Sequence, residues 1–205
     1  MRAWLLWTAS FVSLPIGGYL SWLIIGPVDG IGSALIAGLL TGAVIGTGQT
    51  LLSSHRLDWR RWIPATMIGM GLGLPLGAAL TGYRTGLADL VLMGAVTGLA
   101  LGAAQGVVLR KWQWAAAMPL LWALGWAITT VAGIEVGEQF SVFGSSGAVT
   151  FAALSGLLLQ LLVPVRPRKQ AHAEQAIAAT LAGYTGSRPG GTTTSAARDS
   201  GRPKV

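Results

Sequence analysis

Six stretches of apolar sequence, nearly empty of charge except at their ends, follow one another along the chain. They run from Trp4 to Ile25, Ile31 to Leu52, Trp62 to Thr81, Leu87 to Leu109, Trp114 to Gly133 and Phe143 to Val163. About 20 residues at 1.5 Å per residue cross the ~30 Å hydrocarbon layer of a bilayer, so each stretch has the length of a transmembrane helix. The sixth has the weakest start, at Gly144, Ser145, Ser146 and Gly147. Only 10% of the 205 residues are charged and 52% are hydrophobic. A soluble domain carries about 25% charged residues, and this chain lacks the charge to cover a water-facing surface. The expected class is all-α: a polytopic membrane bundle of six helices over residues 1–164, followed by a tail over 165–205.

The connections between the stretches set a direction. Arg2 precedes the first; Arg56, Arg60 and Arg61 with Asp58 lie between the second and third; Arg110 and Lys111 lie between the fourth and fifth; Arg166, Arg168 and Lys169 follow the sixth. The alternate connections hold Asp29, then Arg84 and Asp89, then Glu135 and Glu138. Thirteen of the 14 Lys and Arg residues therefore fall on one side. The positive-inside rule reads this as a plasma-membrane (bacterial inner-membrane) protein with both termini in the cytoplasm. The net charge of +7 is explained by orientation and does not form the contiguous basic face of a nucleic-acid-binding module.

Arg2 ahead of an apolar stretch resembles a signal peptide, but the stretch is long for one and no clear cleavage site follows. Leu14-Pro15-Ile16-Gly17-Gly18 also resembles Leu74-Pro75-Leu76-Gly77-Ala78 of the third stretch, so a retained helix is expected. Trp4, Trp7, Trp59, Trp62, Trp112 and Trp114 sit where odd-numbered helices leave the basic side. That placement predicts headgroup-level anchors. Trp122 and Trp126, at i and i+4 within the fifth stretch, share a helical face that either meets lipid or lines a cavity. In the tail, Ala171 to Leu181 suggests a short helix lying on the membrane, with disorder expected from Thr185 onward.

The second and fourth stretches share the frame G-x-x-T-G-x-x-x-G-x-x-Q at an offset of 56 residues. It is carried by Gly38, Thr41, Gly42, Gly46 and Gln49, and by Gly94, Thr97, Gly98, Gly102 and Gln105. The sixth stretch keeps Gly147-Ala148-Val149-Thr150, has Phe151 in place of the central glycine, and reaches Gly156 and Gln160 with a small shift. The unit is a helical hairpin, with repeats at about 1–55, 56–111 and 112–164. Three hairpins of like orientation predict a pseudo-threefold bundle about the membrane normal. Glycines at i, i+4 and i+8 form a glycine-zipper pattern. That face admits a neighbouring backbone closely, which is how helices gain contact in lipid. These contacts are expected inside the chain. Gln49, Gln105 and Gln160 are the candidate site residues. They form interhelical amide contacts, or a ring of three amides around a pathway, or face the interface.

The G-x-x-x-G-x-x-Q element followed by Leu109-Arg110, with Trp114 opening the next helix, resembles repeats in uncharacterised multi-pass bacterial membrane proteins. In those an aromatic residue follows the glutamine, where this chain has Thr50, Gly106 and Leu161. The resemblance covers about residues 31 to 164 and implies a multi-pass fold without implying an activity.

No enzymatic constellation emerges. Gly69, Gly71 and Gly73 lie mid-helix and not between a strand and a helix, against a nucleotide loop. Ser53, Ser54 and His55 share a basic loop with only Asp58 nearby, and His172 stands in the tail. With no Cys there are no disulfides or thiolate metal sites. No cofactor or metal is expected, and Glu135 and Glu138 read as an outer loop. The leading expectation is a non-enzymatic scaffold or assembly subunit, associating with lipid and with copies of itself or other subunits. The alternative is a small transporter or channel for a neutral solute or lipid.

Overall fold

The structure is a computed structural model that describes residues 1–133 and 142–163. Those residues are helical, with no strand among them. Six helical spans are long and apolar enough to cross a membrane: Arg2–Ile25, Ile31–Leu52, Trp59–Leu80, Leu87–Leu109, Trp112–Val131 and Ser145–Leu162. The expectations for Glu135 and Glu138, for the basic cluster at Arg166, Arg168 and Lys169, and for the tail helix lie outside the described residues.

The first span is made of α1 (Arg2–Ala9), a single 3-10 turn (Ser10–Val12) and α2 (Ser13–Ile25). The tightened turn has a cause in Pro15. Proline offers no N–H to the carbonyl four residues earlier and its ring crowds that carbonyl, so the helix rewinds just before it. Ser13 Oγ donates to the Ser10 carbonyl at 2.6 Å across this turn. The remaining spans are α3 (Ile31–Leu52), α4 (Trp59–Leu80), α5 (Leu87–Leu109), α6 (Trp112–Val131) and α7 (Ser145–Leu162). Asp58 starts α4 by accepting the Arg60 backbone N–H at 3.1 Å. Gly30 N donates to Ser33 Oγ at 3.0 Å where α3 begins. The short connections force neighbouring helices to run antiparallel.

Each helix packs on the next in sequence, and α7 returns to α1, so the six spans close a ring. Arg2, Arg56, Arg60, Arg61, Arg110 and Lys111 gather at one end of that ring, termed here the basic end.

Helices of this kind are apolar all round, so residue size decides which face is buried. Leucine, isoleucine and valine dominate the outside: Leu80, Leu99, Val107, Leu120 and Leu161 are all exposed. Glycine, alanine, threonine and tryptophan dominate the inside. An outward belt of branched apolar side chains is destabilising in water and suits hydrocarbon.

Candidate functional site

The buried faces of the even spans are where the glycines lie. Gly38, Gly42 and Gly46 of α3 all face α4, and Gly94, Gly98 and Gly102 of α5 all face α6. The approach is too close for a side chain. A Cβ on Gly42 would stand 2.8 Å from the Cα of Met67, and one on Gly98 would stand 2.6 Å from the Met118 carbonyl oxygen. The odd spans contribute reciprocally: Gly17 of α2 meets Thr41, and Gly73 of α4 meets Thr97. In α7 the pattern changes. Gly147 packs on Gly125 and Thr129 of α6, whereas Gly156 packs on Trp7 and Trp4 of α1. With Phe151 at the position of Gly42 and Gly98, α7 cannot lie as flat on its neighbour along its whole length.

Inside the ring near the basic end, Trp7 of α1, Trp62 of α4 and Trp114 of α6 meet edge to face. Their ring centroids are 6.5 Å apart for Trp7–Trp62, 6.3 Å for Trp7–Trp114 and 5.9 Å for Trp62–Trp114. All three are fully buried. This corrects the expectation that the six basic-side tryptophans are headgroup anchors. Trp59 and Trp112 are exposed, as such anchors are, but Trp7, Trp62 and Trp114 are core. Trp4 lies between these cases, partly buried and donating to the Ala153 carbonyl at 2.9 Å.

Each buried indole needs an acceptor for its N–H. Trp62 Nε1 donates to Gln49 Oε1 at 2.9 Å, Trp114 Nε1 to Gln105 Oε1 at 3.0 Å, and Trp7 Nε1 to Ser155 Oγ at 3.0 Å. In every case an even span supplies the acceptor and the odd span packed on it around the ring supplies the indole. Gln105 Nε2 also donates to Thr66 Oγ1 at 3.0 Å, and Thr66 Oγ1 donates to the Trp62 carbonyl at 2.8 Å.

Gln49 and Gln105 are thus brought into one buried cluster, but Gln160 is not part of it. Its Nε2 is buried with no hydrogen-bond partner among the described residues. Of the three alternatives, Gln49 and Gln105 follow the interhelical one, and in place of a ring of three amides the cluster holds two amides and a serine. Counting strictly from Gly147, Ser155 falls at the place of Gly46 and Gly102, eight residues on, and Leu158 falls at the place of the glutamines. Gln160 lies two residues beyond that place.

A second aromatic group is built around Trp122, with Phe143 at 4.9 Å and Phe151 at 5.7 Å between centroids, and with Trp126 against Phe143 at 6.0 Å. Trp122 and Trp126 are each 1% exposed. Their burial corrects the lipid-facing alternative, and neither lines the two grooves described below. The sequence signal for their role was Gly94 and Gly98, whose missing side chains make room for the two indoles.

At the basic end, the Arg56 guanidinium bridges three segments. It donates from Nε to the Ser53 carbonyl at 3.0 Å, from Nη1 to the Val163 carbonyl at 3.3 Å, and from Nη2 to the Ala3 carbonyl at 3.5 Å. Burial holds its pKa below the ordinary arginine value. At the opposite end Arg84 pairs with Asp89 at 2.9 Å, and hydrogen bonding to that carboxylate raises the arginine pKa. The central cluster itself carries no charge. Its donors and acceptors are neutral amides, hydroxyls and indoles, which can hold helices together but offer no general base or nucleophile of shifted pKa.

No protein-family model matches this chain, and neither the curated proteins nor the solved structures contain a match to it.

Proposed function

We propose that this chain is a non-enzymatic membrane protein that works through helix packing, as a scaffold or as a subunit of a membrane assembly. In this reading it lies in the plasma membrane with the basic end and both termini in the cytoplasm. Its three hairpins, α1–α3, α4–α5 and α6–α7, are related by rotation about the membrane normal. The resemblance to multi-pass bacterial proteins with repeated hairpins belongs to the same reading. Supporting the rotation, the contacts Gly17–Thr41 and Gly73–Thr97 recur at the 56-residue offset seen in the sequence.

The observation that carries the scaffold reading is the triangle of Trp7, Trp62 and Trp114. A pathway along the bundle axis has to pass between these three rings, and they touch. Their N–H groups are committed to Gln49, Gln105 and Ser155 and are not presented to a solute.

The test is flux. Vesicles reconstituted with the full chain are loaded with water, glycerol or urea and followed by stopped-flow light scattering. A scaffold leaves permeability at the level of protein-free vesicles. Saturable flux that changes when Gln49 and Gln105 are both replaced by leucine would establish the transporter alternative instead.

A further inference from the structure

Two grooves open on the outer surface toward the basic end, one within each of the first two hairpins. The first, of about 410 Å³, lies between the first span and α3, and the second, of about 630 Å³, lies between α4 and α5. They are built alike: Ala9, Val12 and Leu51 in one stand 56 residues before Ala65, Ile68 and Val107 in the other. Val107 is 78% and Leu51 77% exposed, so both grooves face whatever surrounds the bundle.

They differ at the mouth. The second groove is flanked by Arg61 and Arg110. The positions 56 residues earlier are Leu5 and Ser54, and the first groove is lined by no charged residue. Neither arginine is occupied by the fold. Arg61 has only a solvated contact with Asp58, 3.7 Å from Nε, of the kind that contributes little. The Arg110 side chain makes no hydrogen bond or ion pair among the described residues, its backbone N–H alone being tied to the end of α5. Arg110 also sits at φ 55, ψ 41, closing α5 in the left-handed conformation. Glycine or asparagine takes that position with less strain, so local backbone preference does not account for an arginine there.

We propose that the α4–α5 groove binds an anionic phospholipid from the surrounding bilayer. The phosphate lies between Arg61 and Arg110, and one acyl chain runs down the groove past Ile68 and Val107. The chemistry fits on three counts. Guanidinium groups take phosphate oxygens through paired N–H donors. From Arg61 to Ile68 is about two helical turns, or ~10 Å, which carries a chain from headgroup level into hydrocarbon. Basic pockets between transmembrane helices, with apolar walls below, suit anionic headgroups and not zwitterionic ones, whose cationic end the arginines repel. This inference does not depend on the scaffold reading, since a transporter could hold the same lipid.

The test uses the full chain in detergent, with phosphatidylglycerol and phosphatidylcholine of identical acyl chains, and bound lipid counted by native mass spectrometry. The double substitution R61Q/R110Q should lower the ratio of bound phosphatidylglycerol to phosphatidylcholine at least about tenfold, while R2Q/R60Q, which removes the same charge outside the groove, should leave it unchanged. Ala104→Phe, which fills the groove and keeps both arginines, should also release the lipid, with circular dichroism confirming that each variant is folded. Equal loss in R2Q/R60Q would reduce the effect to general charge attraction and overturn the site. Undiminished binding in R61Q/R110Q or in Ala104→Phe would overturn it as well. Displacement of the lipid by soluble glycerol 3-phosphate at equal concentration would show that a free phosphate, and not a lipid, is the ligand.

Discussion

Gln105 accepts the Trp114 indole N–H at 3.0 Å and donates its own amide to Thr66 at the same distance, so a single side chain joins α4, α5 and α6. Gln49 accepts the Trp62 indole at 2.9 Å, joining α3 to α4. The difference between these two glutamines sets an order of importance that the repeat alone does not reveal.

Replacing Gln105 by leucine orphans the buried Trp114 N–H and also removes the bond to Thr66 Oγ1, which keeps only its own bond to the Trp62 carbonyl. An orphaned buried donor or acceptor costs about 1–3 kcal/mol, and interhelical hydrogen bonds in membranes contribute about 0.6–2 kcal/mol. Gln49→Leu orphans the Trp62 N–H. Gln160→Leu removes an amide nitrogen that has no hydrogen-bond partner among the described residues and should be neutral or slightly stabilising. The expected order of destabilisation is Gln105, then Gln49, then Gln160, read from unfolding by sodium dodecyl sulfate in mixed micelles. A Gln160 variant as unstable as the Gln105 variant rejects this assignment.

The glycine contacts predict a sharp contrast between positions that look alike in composition. At Gly98 any side chain meets the Met118 carbonyl and the Trp122 Cβ, and two backbones must part to admit it. Gly98→Val should cost about 3 kcal/mol or more, at the upper end of overpacking. Gly32→Ala has nothing within 4 Å of the new methyl group and should be neutral or mildly favourable, because alanine is the better helix former. Thermal unfolding of both variants in one detergent measures the difference directly.

The burial of three tryptophans predicts a spectroscopic division. Lipids brominated near the headgroup quench indoles that contact them. Trp59 and Trp112, at 58% and 74% exposure, should be quenched, while Trp7, Trp62 and Trp114 should not be. Single-tryptophan variants would be too damaged to use, since removing a buried tryptophan costs about 3–5 kcal/mol. Removal of Trp59 and Trp112 together is harmless by the same reasoning and should lower headgroup-level quenching, the half-buried Trp4 and Trp22 accounting for what remains. Quenching undiminished in the double variant refutes the buried triangle.

The span boundaries were legible because bilayer thickness imposes a length and a composition on every crossing. Ile31–Leu52 and Leu87–Leu109 match the apolar stretches residue for residue. The inside of the bundle was far less legible. Trp4 and Trp7, like Trp59 and Trp62, are three residues apart at the start of a span, and no polar contrast marks which one turns inward. In water the apolar face is the buried face, but in lipid both faces are apolar and that contrast disappears. The available signal was pairwise. A buried glutamine needs a donor at its own depth, and Trp62 and Trp114 lie at the start of the very next helix. Ser155 was legible too, from the strict spacing after Gly147, but serine is common in membrane helices and is a weaker signal than glutamine. The break at Ser10–Val12 follows from Pro15, although Pro75 and Pro119 sit inside helices that stay continuous, so proline alone did not specify it.

Arg56 closes the ring at its basic end, and its fork geometry makes the last prediction. The carbonyls of Ser53, Val163 and Ala3 lie in three different directions, reached by Nε, Nη1 and Nη2 respectively. The Val163 carbonyl lies just past the end of α7, and the arginine supplies it a donor. Lysine keeps the charge but concentrates its donors at one point and cannot span all three acceptors. Arg56→Lys should therefore lose nearly as much as Arg56→Gln, about 1–2 kcal/mol locally. The loss should appear as faster amide hydrogen exchange in the first turns of α1 and the last turn of α7, with α4 and α5 unchanged. Full protection in Arg56→Lys would mean that charge alone holds the seam between α7 and α1, and the bridging role assigned to the guanidinium would be wrong.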